Sequence, residues 1–223
     1  MTNSASRSGR GYRLLLIEGS RLVRECLAER LSAADIEVTP SDWVGALTAA
    51  RRSRPDVVLL SVRLPNRRAV DVARRIVRRR RASRIVFLDD APRPAALAAA
   101  LKASVHGYWS KQSGFTGLLD CLDRVAAGRW AFDPAVEGCL EWSDEGPRFR
   151  CWPVGTALAK LSAREREVLA VLAEGVSVKQ CALRFDLAPN TIDNHKSRIM
   201  NKVGLRKNTE LLWLAIREGL VEV

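Results

Sequence analysis

From Leu161 to Leu220 the chain reads LSAREREVLAVLAEGVSVKQCALRFDLAPNTIDNHKSRIMNKVGLRKNTELLWLAIREGL, four apolar-periodic stretches separated by helix stops. A pattern so dense in starts and stops admits little besides a bundle of short helices. Leu161, Val168, Leu169, Val171 and Leu172 fall on one helical stripe. Arg164, Glu165, Arg166 and Glu167 fill the first turn, and Gly175 ends the segment. Ser177 stands as N-cap of a short second helix through Val178, Cys181, Ala182 and Leu183, and Asp186 to Pro189 form the turn after it. In the third segment Ile192, Ile199 and Val203 recur at helical spacing, which leaves Asp193, Asn194, Ser197, Arg198 and Asn201 on the opposite face. Small amides, a hydroxyl and an arginine on a free helix face suit base-edge hydrogen bonding, and Lys179, Lys196, Lys202 and Lys207 suit phosphates. The fourth segment, Asn208 to Arg217, carries Leu211, Leu212, Leu214, Ala215 and Ile216, more apolar surface than a three-helix core needs. A dimer contact is one outlet for that surface.

This segment resembles the LuxR-type helix-turn-helix at the C-terminus of NarL/FixJ-type response regulators, with LSAREREVL, LAEG, TIDNH and AIREGL in register. The resemblance implies that the helix from Asn190 to Val203 enters the major groove of double-stranded DNA and that the last helix helps dimerise. It places Lys179, Thr191, Asp193, Asn194, Lys196, Ser197, Arg198, Asn201 and Lys202 at the interface. Two positions depart from the family pattern: Ala188 stands where a Ser commonly caps, and Asp193 where a Lys or Arg often contacts DNA. With Asn190 as N-cap, Asp193 is the third helical residue and completes a variant capping box, worth about 1 kcal/mol. The other reading has it accept a cytosine amino proton. The cap takes precedence, because a carboxylate near phosphates is repelled unless a base holds it.

The chain has 223 residues, enough for a second domain with its own core. Upstream, Tyr12 to Ile17, Asp56 to Val62, Arg84 to Leu88 and Gly107 to Ser110 read as short buried strands, Glu37 to Thr39 as a weaker one, and the stretches between them as helices. Five βα units predict a parallel sheet covered on both faces. The expected fold is therefore α/β, a (βα)5 flavodoxin-like domain over residues 12–133, then a linker over 134–160 and a small all-α four-helix domain over 161–223. Residues 1–11 are expected to be a flexible tail. Sheets of this kind carry their chemistry at the carboxyl ends of the strands, which selects Glu18, Gly19, Ser61, Asp89, Asp90 and Lys111.

LLLIEGSRLVRECLAERL, PDVVLLSVRLP, RIVFLDDAP and HGYWSK resemble, in order, the first, third, fourth and fifth strand segments of response-regulator receiver domains. The family's phosphoryl chemistry needs paired carboxylates after the first strand and an Asp after the third, which together hold Mg²⁺. Here the positions are Glu18-Gly19 and Ser61. Asp89 takes the place of the Thr or Ser that binds the phosphoryl group, whereas Lys111 and Tyr108 match the family's lysine and switch aromatic. Lys111 is expected to pair with Glu18 or Asp89. The losses read as a pseudo-receiver that does not use aspartyl phosphate. The competing reading is shifted chemistry: Ser61 modified by a serine kinase, or a metal held by Glu18, Asp89 and Asp90. The first is preferred because several independent parts are missing.

No Ser/His/Asp set, phosphate-binding glycine loop or His/Cys cluster stands in the sequence, and with His106 and His195 the only histidines, neither enzymatic activity nor a cofactor or metal is expected. The net charge of +12 invites a nucleic-acid reading, yet residues 161–223 hold ten basic against eight acidic side chains, so most of the excess lies elsewhere. Much of it is the run Arg74, Arg75, Arg78, Arg79, Arg80, Arg81 and Arg84, read either as a solvated face or as a contact for DNA or an acidic protein. Five cysteines without C-x-x-C spacing read as reduced thiols in a cytosol, with Cys139 and Cys151 close enough in sequence for a redox pair. Neither a signal peptide nor an apolar run long enough for a membrane is present, so a cytoplasmic location is expected. The linker, with Trp142 and Trp152, is expected to fold back in part on a domain. These features describe a sequence-specific DNA-binding regulator, dimeric on DNA, whose first domain answers to dimerisation, a small ligand or a partner protein. An adaptor that binds only proteins is the alternative.

Overall fold

Three runs without a polar residue, LLLI, VVLL and IVFL, must be covered on both faces, and they become the central strands of a parallel sheet. They lie in β1 (Arg13–Ile17), β3 (Val57–Ser61) and β4 (Arg84–Asp89), flanked by β2 (Glu37–Ser41) and β5 (Gly107–Ser110). The computed structural model describes residues 11–63, 69–79, 82–150, 156–218 and 220. Residues 1–10 of the expected tail, Arg80 and Arg81 of the arginine run, and Cys151 and Trp152 of the linker lie outside the described residues.

The strand order is β2-β1-β3-β4-β5-β6, all neighbours parallel. The sixth strand, β6 (Ala131–Phe132), is an addition to the five expected. Two residues are too few to show alternation in a sequence. Its close approach also explains a glycine: a Cβ at Gly107 would stand 2.9 Å from the Ala131 carbonyl oxygen. The strand β2 runs two residues further than expected, through Pro40, which an edge strand tolerates because its outer side needs no ladder bonds.

Helices α1 (Arg21–Ser32), α2 (Ala46–Ser53), α3 (Ala69–Arg79), α4 (Pro94–Lys102) and α5 (Phe115–Ala126) connect the strands. The core includes Leu14, Leu16, Leu59, Val86, Leu88, Leu118 and Leu122, each at most 3 % exposed. In α3, Ala69, Val72, Ala73 and Ile76 are buried, while Arg74, Arg75, Arg78 and Arg79 face solvent. After β1 the chain crosses to β2 on one side, then returns to β3 on the other, so the carboxyl ends of β1 and β3 flank the sheet's topological switch point.

A short helix α6 (Pro134–Glu137) and a two-stranded ladder, β7 (Leu140–Ser143) with β8 (Gly146–Phe149), follow where a linker is expected. Gly146 in that ladder lies against the Trp130 ring, which stacks in turn on His106 and Phe132. This part of the segment folds back as anticipated, although Trp142 remains 58 % exposed.

The described residues divide into two compact units, and the second is built on α7 (Ala163–Ala173), α8 (Val178–Phe185), α9 (Pro189–Val203) and α10 (Asn208–Arg217). Leu158, Val168, Leu169, Cys181, Ile192, Ile199 and Ala215 form its core and are fully buried.

Candidate functional site

Reciprocal capping starts the first two C-terminal helices. Ser162 Oγ accepts from the Glu165 backbone at 3.2 Å and the Glu165 carboxylate accepts from the Ser162 backbone at 2.7 Å, while Ser177 and Gln180 repeat the arrangement on α8. Asp186 ends α8 in the left-handed region at φ 54°, a conformation that Asp adopts more readily than most residues, and the chain turns into α9.

The start of α9 corrects the sequence reading. Pro189 is the first helical residue and Ala188 the N-cap, with no side-chain cap bond. Asn190 is therefore not the cap, and Asp193 sits at the fifth helical position, too far along to close a capping box. Asp193, Asn194, Ser197, Arg198 and Asn201 are exposed, Thr191 and Lys196 half-buried, and Lys179 on α8 exposed. Among the described residues none of these side chains has an intramolecular partner. Ile192 and Ile199 are fully buried beneath them, so the helix presents the face that its spacing implies.

Lys202, expected at phosphates, also makes an ion pair within the fold. Its ammonium lies 2.7 Å from the Glu165 carboxylate, which is 4 % exposed, and so joins the end of α9 to the start of α7. A buried carboxylate requires such a counter-charge, and the pair ties Lys202 to the scaffold. Burial pushes the Glu165 carboxyl up, but hydrogen bonds from Lys202 and Ser162 outweigh it and hold the group below its ordinary value. A depressed carboxyl stabilises the folded unit above its unfolded value, 4.5, and loses that contribution as pH falls below it. Helical circular dichroism during acid titration is expected to show the C-terminal unit weakening in that window, and Glu165→Gln is expected to flatten the acid limb. An unchanged acid limb in the variant would remove Glu165 as its source.

The crevice at the carboxyl ends of the sheet holds a closed charge network. Lys111 Nζ is 2.8 Å from Glu18 and 2.9 Å from Asp90, Arg63 Nε reaches the other Asp90 oxygen at 3.0 Å, and the Ser20 backbone donates to Glu18 at 2.9 Å. Burial pulls the Lys111 ammonium down, yet its hydrogen bonds to Glu18 and Asp90 raise it above the usual lysine value. The expected pairing with Glu18 is present. The second partner is Asp90 rather than Asp89, because Asp89 points into the fold, fully buried, and accepts the Tyr108 hydroxyl at 2.8 Å and the Asp90 backbone at 2.8 Å. Tyr108 is itself fully buried.

Ser61 is 1 % exposed and its hydroxyl has no hydrogen-bond partner among the described residues. Gly19 offers no side chain. Glu18 and Asp90 share a lysine and Asp89 holds a tyrosine, so the donor set does not fit the oxygen shell that Mg²⁺ demands. Sequence reasoning missed Arg63, which neighbours the pocket but carries no motif.

Residues 14–123 match the family model described as the response regulator receiver domain, and residues 159–215 match that of the bacterial regulatory proteins of the luxR family. The chain belongs to the LuxR-family response regulators. It is a DNA-binding transcription regulator and not an enzyme. A similar protein is the transcriptional regulatory protein YvfU of Bacillus subtilis, 27% identical over 94% of this chain and 99% of its own. Another is the DNA-binding transcriptional activator DevR/DosR of Mycobacterium tuberculosis, 28% identical over 89% and 91%. RcsB of Salmonella enterica serovar Typhimurium, in a structure bound to the promoter rprA, matches with TM-score 0.60 at 20% identity, over 92% of this chain and 98% of that one. Among the described residues of this response regulator no helix is long and apolar enough to cross a membrane.

Proposed function

We propose that this response regulator reads its operator through α9 and binds DNA without an aspartyl phosphate. Asn194, Ser197 and Arg198 supply donors and acceptors for base edges, with Asp193 able to accept from a cytosine amino group. Thr191 and Asn201 flank them, and Lys179, Lys196 and Lys207 set the register on phosphates. The exposed Trp213 and Leu212 on α10, 70 % and 42 % accessible, supply apolar surface for a homodimer on an inverted repeat.

The observation that carries phosphorylation independence is the network around Lys111. The lysine that matches the family's phosphoryl contact already bridges two carboxylates, and Tyr108, at the switch-aromatic position, is already inside and bonded to Asp89. An incoming phosphoryl group would meet the Glu18 and Asp90 carboxylates in the crevice and find Ser61 where the family has its acceptor Asp. Control then enters through self-association, a ligand or a partner protein.

The test is duplex selection from a random library, followed by affinity measurement with and without acetyl phosphate and Mg²⁺. The Kd for the selected duplex is expected to stay the same, with no phosphate incorporated. A tenfold gain in affinity that accompanies incorporation would overturn the proposal.

A further inference from the structure

At the opposite end of the sheet from the crevice, α2 and α3 enclose a cavity of about 220 Å³. Leu47 and Ala50 from α2 and Ile76 from α3 form its apolar wall, and Ser83, whose hydroxyl proton is committed to the Pro55 carbonyl at 2.7 Å, lies at its floor. Arg51, Arg54 and Arg79 stand at the rim, all exposed. Among the described residues no carboxylate lines the cavity and none pairs with these three guanidiniums. This distinguishes them from Arg13, Arg21, Arg63 and Arg184, each of which has an acidic partner.

Three unneutralised cations around an apolar hollow repel one another and attract an anion, while the wall favours an apolar body. A cavity of about 150 Å³ is enough to hold benzene, so the hollow has room for one aromatic ring or a short acyl chain with its polar end. We infer that this cavity binds a small organic acid, the apolar body lying on Leu47, Ala50 and Ile76 and the carboxylate accepting from Arg51 and Arg79. A guanidinium offers two parallel N–H donors to a carboxylate, which suits that end of the ligand better than a lysine would. An inorganic or nucleic-acid phosphate would leave the apolar wall unused. The inference stands apart from the use of the Lys111 crevice and from how α9 reads DNA.

The test follows the methyl resonances of Leu47 and Ile76 in the full chain during titration with phenylacetate and with octanoate, with phenylacetamide and inorganic phosphate as matched controls. At least one acid is expected to shift these methyls to saturation. Loss of a charge-assisted hydrogen bond is expected to weaken binding about tenfold or more, both for phenylacetamide and for phenylacetate on the Arg51→Gln, Arg79→Gln double variant. Ala50→Leu, which narrows the hollow without changing charge, is expected to weaken the acids as well. The inference is overturned if neither acid saturates, if the amide or phosphate binds as tightly, or if both variants bind like the parent. It is also overturned if an acidic peptide with a phenylalanine anchor shifts the same methyls and outcompetes both acids, since the surface would then be a protein-docking site.

Discussion

Lys111→Met is expected to destabilise the N-terminal unit by about 3 kcal/mol, the usual order for removing one member of a buried ion pair. The asymmetry of exposure decides the size. Lys111 is 26 % exposed at its side chain and can be replaced by water in part, but Glu18 is 4 % exposed and would keep a carboxylate without its ion-pair partner, since Arg24 donates to the Glu18 backbone carbonyl. Asp90 retains Arg63 at 3.0 Å and contributes less to the loss. Thermal unfolding followed by the fluorescence of Trp109, buried at 7 % exposure in this unit, is expected to move down by about 10 °C. Glu18→Gln in the Lys111→Met background is expected to restore much of it, since the uncompensated charge is then gone. The pH dependence carries a matching sign. A lysine raised above its ordinary value stabilises fully below that value, 10.5, and its contribution drains as pH rises past it. Parent and variant should therefore converge in strong alkali. An unchanged midpoint in Lys111→Met would mean that the network does not hold the crevice.

The second large effect is on recognition. The Asn194→Ala, Arg198→Ala double variant is expected to lose about 100-fold or more in affinity for the selected operator, since each good base contact contributes about 1–3 kcal/mol of discrimination. Both side chains are exposed and, among the described residues, without an intramolecular partner, so helicity and melting should not change. Lys179→Ala, by contrast, should weaken specific and random duplexes alike and lower the salt slope by about 1. Retention of operator preference by the double variant would place base readout elsewhere than on α9.

The sequence was legible where local chemistry decides the structure. Ser177 announces its helix, Gly175 ends the one before it, and the three apolar runs in β1, β3 and β4 require a covered sheet. The start of α9 was misread because Asn190 is a good capping residue, whereas the stronger signal was Pro189, whose fixed φ and missing N–H suit the first helical position. Side-chain partners distant in sequence were harder. Nothing near Lys202 points to Glu165, 37 residues away, so the ion pair between them was not foreseen. Asp89 and Asp90 are adjacent and chemically identical. Only the pleat decides that one enters the core to meet Tyr108 and the other faces the crevice to meet Lys111.

The helix α9 is held very unequally at its two ends. Its final turn is clamped by the Glu165 and Lys202 pair, whereas its first turn has an alanine at the N-cap and no side-chain cap bond. Mechanically this is a lever with its fulcrum at the far end, its 15 residues spanning about 22 Å. A tilt of about 5° about the clamp moves the free end by about 2 Å, the difference between a direct base contact and one bridged by water. The proposed base readers Asn194, Ser197 and Arg198 lie between that end and the clamp, with Ile192 and Ile199 packed beneath them, so the same tilt moves them by about 1 Å or less.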